Sequence, residues 1–272
     1  MRLTALTLCL ASSAFLAACD RRDMPDEGPT GIQGIDKFAV PGPEPVTVAR
    51  VGACTLFVPP NDGTSRPGMG WGTFNGSSPE TYTALLTRVA SFGTLVTATN
   101  TLAASGVEIS GCIDQLDQMR LDSNGRFAAA GHADGASGAI NASALNPKVE
   151  VTIPVTLEGV FTAMSDGRDI KGSADGPALI LCATDDVLIR CDLAGNGDSK
   201  FQEAVVPITR ISVDGTTFLD VARDGGELFS ALVTTAVEAA LGGDADALAA
   251  LRPGGANGAR GLSRIATRNQ AP

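Results

Sequence analysis

Histidine is almost absent from this chain, since His132 is its single imidazole among 272 residues. A metal site built from several histidines is therefore excluded, and so is a mechanism that needs two imidazoles. Positive charge is also scarce, with 20 Lys and Arg residues against 30 Asp and Glu residues and a net charge of −10. Because a phosphate backbone repels a protein of this charge, we expect no nucleic-acid partner.

Charged residues of both signs make up only 18% of the chain, which excludes a coiled coil and a charge-rich disordered protein. Hydrophobic residues make up 44%, enough to bury a core. If an 18-residue leader is removed, 272 − 18 = 254 residues remain, a usual size for one α/β domain. The sequence contains no internal repeat.

The N-terminus has the pattern of an export signal. A basic residue, Arg2, precedes an apolar run over residues 3–18, which is shorter than the roughly 20 residues of a membrane span. The run ends in Leu16-Ala17-Ala18-Cys19, which resembles the lipobox of bacterial lipoproteins. The resemblance implies that Cys19 is acylated and holds the protein at a bilayer, in the cell envelope and facing the periplasm in a Gram-negative cell. The alternative is an ordinary leader that ends near a cysteine by chance.

Two of the six cysteines are set aside, namely Cys9 in the leader and Cys19 at the predicted lipid attachment site. The other four are Cys54, Cys112, Cys182 and Cys191. An even number in an exported chain favours disulfides, for which three pairings are possible. The closeness of Cys182 and Cys191 in sequence favours that pair and leaves Cys54 with Cys112; free thiols are the alternative. We expect no zinc, because the chain has no C-x-x-C motif, and no other metal or cofactor.

Composition divides the chain into four predicted regions. The signal peptide spans residues 1–18, and a flexible tether rich in Pro, Gly and charge spans 19–46. The folded domain spans 47–252, and a disordered tail spans 253–272. Within the domain, short apolar runs alternate with longer amphipathic segments, which predicts strands and crossover helices in a largely parallel sheet. The predicted strands are 53–58, 69–72, 94–98, 126–131, 150–155, 178–183 and 208–213, and the predicted helices begin near Pro79, Val107, Ser137, Glu227 and Asp244.

One predicted strand leads into a glycine-flanked turn. Residues 131–135 read Gly-His-Ala-Asp-Gly, and a helical segment follows them. This strand, turn and helix resembles the nucleophile elbow of the α/β-hydrolases, G-x-S-x-G, in which flanking glycines let the strand and helix approach closely. The central position of the motif is Ala133, whose methyl group cannot attack a carbonyl.

Two flanking segments extend the resemblance. Residues 71–82 (WGTFNGSSPETY) and 90–96 (ASFGTLV) look like the W-G-N-G-T-G-x-S-P-x-x-Y and A-S-x-G-F-V-V stretches of the bacterial lipase, polyester-hydrolase and chlorophyllase-like α/β-hydrolases. The likeness runs from about Val48 to Leu241. It implies an α/β-hydrolase fold, with a mostly parallel central sheet and helices on both faces.

When the functional positions of that superfamily are placed on this sequence, the nucleophile and histidine positions fall on residues that cannot perform those roles. The nucleophile position falls on Ala133, and the acid position falls on Asp186, with Asp185 as the second choice or both as solvated turn residues. The histidine position falls on Thr217. The backbone amides of Thr73, Phe74 and Asp134 match the oxyanion hole. Because serine attack needs a base that takes its proton, we expect no ordinary esterase activity.

No neighbouring side chain is a good replacement for the missing serine and histidine. We expect His132 to be a buried structural residue, Ser137 to be a helix residue, and Asp134 to lie beside the apex position that a carboxylate nucleophile would need. A partial calcium-loop pattern over 192–203 lacks a ligand at Ala194, so a polar surface turn is the favoured interpretation.

These features predict a lipid-anchored envelope protein with a catalytically inactive hydrolase fold. It would bind a small acyl or ester ligand or another envelope protein. Two alternatives are an active acyl hydrolase with unusual catalytic residues and a purely structural envelope lipoprotein.

Overall fold

The computed structural model describes residues 28–119, 121–159, 167–223 and 226–269. The predicted signal peptide and Cys19 lie outside the described residues. So do residues 20–27 of the predicted tether and residues 270–272 of the predicted tail.

The protein is an α/β protein built on one nine-stranded, mostly parallel sheet with the strand order β1-β2-β4-β3-β5-β6-β7-β8-β9. Strands β3 to β8 run parallel to one another, while β1, β2 and β9 pair antiparallel at the two sides. The strands are Thr47–Val51 (β1), Cys54–Val58 (β2), Arg66–Gly72 (β3), Leu95–Thr99 (β4), Ser123–His132 (β5), Val149–Val155 (β6), Ala178–Ala183 (β7), Ile208–Val213 (β8) and Leu262–Arg268 (β9).

Seven α-helices are described, together with short 3₁₀ turns and a π-helical turn. The α-helices are Gln33–Asp36 (α1), Thr83–Ser91 (α2), Val107–Gln118 (α3), Asp134–Leu145 (α4), Gly197–Glu203 (α5), Glu227–Val237 (α6) and Ala245–Leu251 (α7). The 3₁₀ turns are Pro79–Tyr82, Gly167–Asp169 and Phe218–Val221, and the π-helical turn is Glu238–Gly242.

Helices cover both faces of the sheet. Along β5, Ala128 and Ala130 join the core cluster that contains α2 and α6, whereas Phe127 and Ala129 join the cluster that contains α3. This alternation follows from the two-residue period of a strand, which sends successive side chains to opposite faces. A sheet buried on both faces is what its continuous apolar strands require.

Two predicted boundaries differ from the structure. Part of the predicted tether is folded, because α1 lies within it and Ile35 and Phe38 are buried in the main core. The predicted disordered tail contains β9, which pairs with β8 over most of its length. Both segments are tied to the domain by long-range contacts, such as the Lys37 to Asp244 ion pair at 2.6 Å.

The predicted disulfide pairing is confirmed. Cys54 is bonded to Cys112, and Cys182 is bonded to Cys191. The first bond joins β2 to α3 across 58 residues, and the second closes a loop of 9 residues after β7. Two disulfides are consistent with an oxidising extracellular location.

No single described helix has both the length and the hydropathy of a membrane span. The segments Glu227–Gly242 and Ala245–Leu251 have the length and hydropathy of a span only when they are taken together, and the pair is bent by 118°.

Candidate functional site

The residues predicted for the site all follow parallel strands at the same edge of the sheet. Thr73 and Phe74 follow β3, Ala133 follows β5, Asp186 follows β7, and Thr217 follows β8. The carboxyl ends of parallel strands form the edge at which ligands of open α/β sheets bind. The topology therefore gathers these sequence-distant residues at one end of the molecule.

Ala133 stands at the apex of a sharp turn between β5 and α4. Its φ is 54°, in the region that non-glycine residues adopt uncommonly. Its N–H donates to the Val155 carbonyl at 3.1 Å, and its carbonyl accepts from the Glu158 N–H at 3.2 Å. The last residue of β6 and the chain that follows it therefore hold the turn on both sides of its apex residue.

Three glycines allow this turn. A Cβ on Gly131 would lie 2.2 Å from the Gly135 carbonyl oxygen, and a Cβ on Gly135 would lie 2.3 Å from the Gly72 carbonyl oxygen. A Cβ on Gly72 would lie 2.7 Å from the same Gly135 oxygen. Strands β3 and β5 therefore meet the first turn of α4 backbone to backbone. This is the close strand–helix approach that the glycine spacing predicted.

Asp186 is 5% exposed, and backbone amides surround its carboxylate. Oδ1 accepts from the N–H groups of Leu188 and Ile189 at 2.9 Å each. Oδ2 accepts from the N–H of Phe218 at 2.8 Å. This last bond joins the loop after β7 to the loop after β8, directly beside Thr217. Asp185, the second choice for the acid position, is exposed and accepts a bond from the Thr184 hydroxyl.

Thr217 acts as a helix cap. Its hydroxyl donates to Asp220 Oδ2 at 2.8 Å, and its N–H donates to the same oxygen at 2.6 Å. These two bonds hold the pKa of Asp220 below its usual value. A threonine hydroxyl engaged in this way supplies no base at the histidine position.

His132 is fully buried, as its sequence position predicted. Its Nδ1 lies 2.7 Å from the hydroxyl of Tyr82, and its ring packs against those of Phe74 and Phe218. Burial lowers the pKa of His132 to about 3, an effect that the Phe218 backbone offsets only in part. Burial also raises the pKa of Tyr82 above its ordinary value. The pair is therefore neutral at physiological pH and holds two elements of the site together.

Ser137 is also engaged, since its hydroxyl donates to the Glu158 carbonyl at 2.6 Å. The residue is fully buried inside α4. It therefore behaves as the helix residue that the sequence predicted.

The predicted oxyanion-hole amides are partly occupied by the protein's own groups. The Phe74 N–H points to the Tyr82 hydroxyl at 3.4 Å, a long hydrogen bond. The neighbouring Asn75 N–H donates to Asp134 Oδ1 at 2.8 Å. The Asp134 carboxylate therefore lies against the loop after β3, to which the hydrolase resemblance assigns the oxyanion hole.

Three residues of this site escaped the sequence prediction, namely Tyr82, Thr156 and Glu158. Tyr82 reaches His132 only through the fold, and nothing local indicated that bond. Thr156 and Glu158 directly follow β6 on the same edge as the predicted residues. That position is the one signal that could have indicated them.

The carboxylates of the calcium-like segment pair with basic side chains. Asp192 pairs with Arg190 at 2.6 Å, Asp198 with Arg210 at 2.8 Å, and Glu203 with Lys200 at 2.9 Å. The second half of the segment is α5. Cys182 and Cys191 lie near Asp198, but their sulfur atoms are joined in a disulfide. These ion pairs give the acidic residues a structural role.

No protein-family model matches the chain, and no curated protein matches it.

Proposed function

We propose that this protein is a catalytically inactive relative of the α/β-hydrolases that serves as a binding or scaffolding module in the cell envelope. The observation that carries the proposal is Ala133 at the apex of the turn between β5 and α4. Its positive φ and the glycines beneath it are the features of a nucleophile elbow. The residue at that apex is alanine, which has no nucleophilic atom.

The order of the site positions along the chain supports the same ancestry. Ala133, Asp186 and Thr217 follow the order nucleophile, acid, histidine that α/β-hydrolases use. The Asp186 carboxylate also bonds to the residue after Thr217. This bond supports the assignment of Asp186 and Thr217 to neighbouring positions of a former catalytic site, and the residue at the histidine position is threonine.

Acyl transfer by serine needs a nucleophile next to a base. The only imidazole of the chain is His132, and its Nδ1 is hydrogen-bonded to the Tyr82 hydroxyl. Ser137, the nearest serine along the chain, gives its proton to a backbone carbonyl. These contacts favour loss of esterase chemistry over an unusual catalytic pair.

The envelope location rests on the sequence of the leader, with the lipid attached at Cys19. The two disulfides support an oxidising compartment. Globomycin inhibits the peptidase that processes bacterial lipoproteins, so it should cause accumulation of a larger precursor in expressing cells. A Cys19→Ala variant should release the protein from the membrane fraction, whereas a Cys9→Ala variant should not.

Labelling with a fluorophosphonate probe tests the loss of chemistry directly. We expect no labelled serine in the purified protein under conditions in which an active serine esterase is fully labelled. Labelling of any serine that is abolished by prior heat denaturation would overturn the proposal.

A further inference from the structure

A cavity of about 170 Å³ lies at the carboxyl ends of β7 and β8, and three arginines line it, namely Arg190, Arg210 and Arg264. The Cys182–Cys191 disulfide forms part of its wall. A water molecule occupies about 30 Å³ of liquid, so the cavity has room for a small oxyanion. Arg190 and Arg264 are exposed, which leaves the cavity open to solvent. We call this cavity the arginine pocket.

Arg210 is the buried arginine of the pocket, with only 4% of its surface exposed. Its Nε donates to Asp198 Oδ1 at 2.8 Å, and its Nη1 donates to Ser212 Oγ at 2.8 Å and to the Arg264 carbonyl at 2.9 Å. Its Nη2 has no hydrogen-bond partner among the residues that the structure describes. A guanidinium carries five N–H donors in a fixed fork, so the fixed Arg210 side chain keeps donors for a ligand in the cavity.

Arg264 occupies a strained position opposite Arg210. Its φ is 44°, which non-glycine residues adopt uncommonly. Arg210 pairs with Ala266 and Ser212 pairs with Ser263, so two residues of β9 lie opposite one residue of β8. Such a bulge redirects side chains, and strained backbone concentrates at binding and catalytic sites. Within the described part of the chain, the Arg264 guanidinium forms no hydrogen bond or ion pair.

The two carboxylates that line the pocket already have partners. Asp186 accepts three backbone N–H groups. Asp192 accepts from Arg190 Nε at 3.0 Å and from Arg190 Nη2 at 2.6 Å. These bonds to Arg190 hold the pKa of Asp192 below its usual value, and the charge of Arg264 lowers it further. Arg264 therefore lies within electrostatic reach of the pocket lining while no described carboxylate is bonded to it.

We propose that the arginine pocket binds a phosphate group through Arg210 Nη2, the Arg264 guanidinium and the Ser212 hydroxyl. A tetrahedral oxyanion has acceptor oxygens on several sides and can bond to all three groups, whereas a carboxylate has only two oxygens in one plane. A free phosphate and the phosphomonoester headgroup of a lipid offer the same chemistry. The inference goes beyond the proposed function and does not depend on it.

The first probe is inorganic phosphate, and acetate is the matched carboxylate. Binding to the purified full chain is measured by isothermal titration calorimetry at pH 7.5 and low ionic strength. We expect phosphate to bind and acetate to bind at least about tenfold more weakly, because acetate has fewer charge-assisted hydrogen bonds available. Added sodium chloride should weaken phosphate binding, since salt screens the attraction between the charges.

Two arginine variants test the donors. Arg264→Gln and Arg210→Lys should each weaken phosphate binding at least about tenfold, the second because lysine keeps the charge but lacks the planar fork. Arg264→Gln removes no side-chain hydrogen bond to a described residue, so it tests the pocket even if Arg210→Lys impairs folding. Arg252→Gln is the control, because Arg252 is an exposed arginine that does not line the pocket.

A carboxylate variant should have the opposite effect. Asp192→Asn removes a negative charge from the lining, so we expect phosphate to bind about threefold or more tightly. Asp246→Asn is the control, since Asp246 is an exposed carboxylate outside the pocket lining and should leave the affinity unchanged. A merely structural role of the pocket residues predicts no gain in affinity.

Vesicle sedimentation distinguishes the two sources of the phosphate group. The Cys19→Ala variant is used, so that an attached lipid does not itself cause sedimentation. Binding of inorganic phosphate in the titration supports a free phosphate as the ligand. Sedimentation with vesicles of phosphatidylcholine and phosphatidic acid, but not with phosphatidylcholine alone, supports a lipid headgroup, and Arg264→Gln should abolish it.

Three results would overturn the inference. They are the failure of the folded protein to bind either phosphate or phosphatidic acid vesicles, acetate binding as tight as phosphate binding, and phosphate binding that both arginine variants leave unchanged. Failure here leaves the proposed loss of esterase activity intact, because that proposal is tested by serine labelling.

Discussion

Phe218 donates its backbone N–H to Asp186 Oδ2 at 2.8 Å, and this bond fixes the loop after β8 against the loop after β7. The other oxygen of Asp186 accepts two further N–H groups. The carboxylate is therefore held rigidly beside Thr217, the residue to which the proposed hydrolase ancestry assigns the histidine position. Under the proposed function, this position lacks only the imidazole side chain.

Restoring two side chains should therefore restore some chemistry. We expect the double variant Ala133→Ser, Thr217→His to hydrolyse p-nitrophenyl acetate at least about tenfold faster than the wild type, because serine then has a base. Loss of the Thr217 cap should lower the free energy of unfolding by about 1 kcal/mol. Initial rates of nitrophenol release measure the effect.

The single variants are the controls for this experiment. Neither Ala133→Ser nor Thr217→His should exceed the wild-type rate, since each lacks the partner of the new group. Equal rates for the folded double variant and the wild type would argue against the assigned positions.

The glycines beneath the turn should tolerate no side chain. Gly135→Ala places a Cβ 2.3 Å from a backbone oxygen, so we expect it to lower the free energy of unfolding by about 3 kcal/mol or to prevent folding. Gly111→Ala in α3 is the matched control, because a Cβ there meets no atom within 4 Å. The control should stabilise the protein by about 0.5–1 kcal/mol, and urea denaturation compares the two. Similar effects of both variants would contradict the close backbone packing.

The fold from β2 to α7 was largely predictable from sequence, because its strands are continuous apolar runs separated by turn residues. The two edge strands β1 and β9 were missed. Residues 47–50 of β1 are exposed, and β9 is mostly half-buried, so neither carries a hydrophobic pattern. Ile35 and Phe38 were missed for a related reason, since isolated apolar residues in a Pro- and Gly-rich segment do not reveal what they contact.

The candidate site was predictable only in part. A local motif indicated the apex turn at Ala133, and its glycines had a direct steric meaning. The contacts of Asp134, Thr156 and Glu158 depend on how the chain after β6 meets the turn after β5. Patterns in a single sequence do not predict such tertiary contacts.

Buried His132 should make stability depend on pH. Burial lowers the pKa of His132 to about 3 from the ordinary value of 6.5, so between these values the unfolded chain binds more protons than the folded protein. The stability that neutral His132 contributes is complete above pH 6.5 and falls by up to about 1.4 kcal/mol per pH unit as the pH decreases through this window. A His132→Gln variant lacks this titration.

Urea denaturation at pH 7 and pH 4.5 tests this effect. The difference in the free energy of unfolding between the wild type and His132→Gln should become smaller at the lower pH. A difference that stays constant would show that His132 titrates normally in the folded protein.

The two disulfides should differ in their contribution to stability. Closing a loop in the unfolded chain removes more entropy when the loop is longer. Replacing Cys54 and Cys112 with alanine should therefore cost about 4 kcal/mol, and replacing Cys182 and Cys191 about 2.5 kcal/mol, on the loop-entropy model. Thermal unfolding of the two double variants shows which of them loses more stability. The reverse order would indicate that the short loop after β7 has a larger structural role than its length implies.

The most direct test of the central claim is the turnover of p-nitrophenyl butyrate by the purified wild-type protein beside a heat-denatured sample of the same protein. If acyl-transfer chemistry has been lost from an intact hydrolase framework, the two rates should be equal. A rate in the native sample that clearly exceeds the denatured one, scales with protein concentration and is abolished by a fluorophosphonate would contradict the claim.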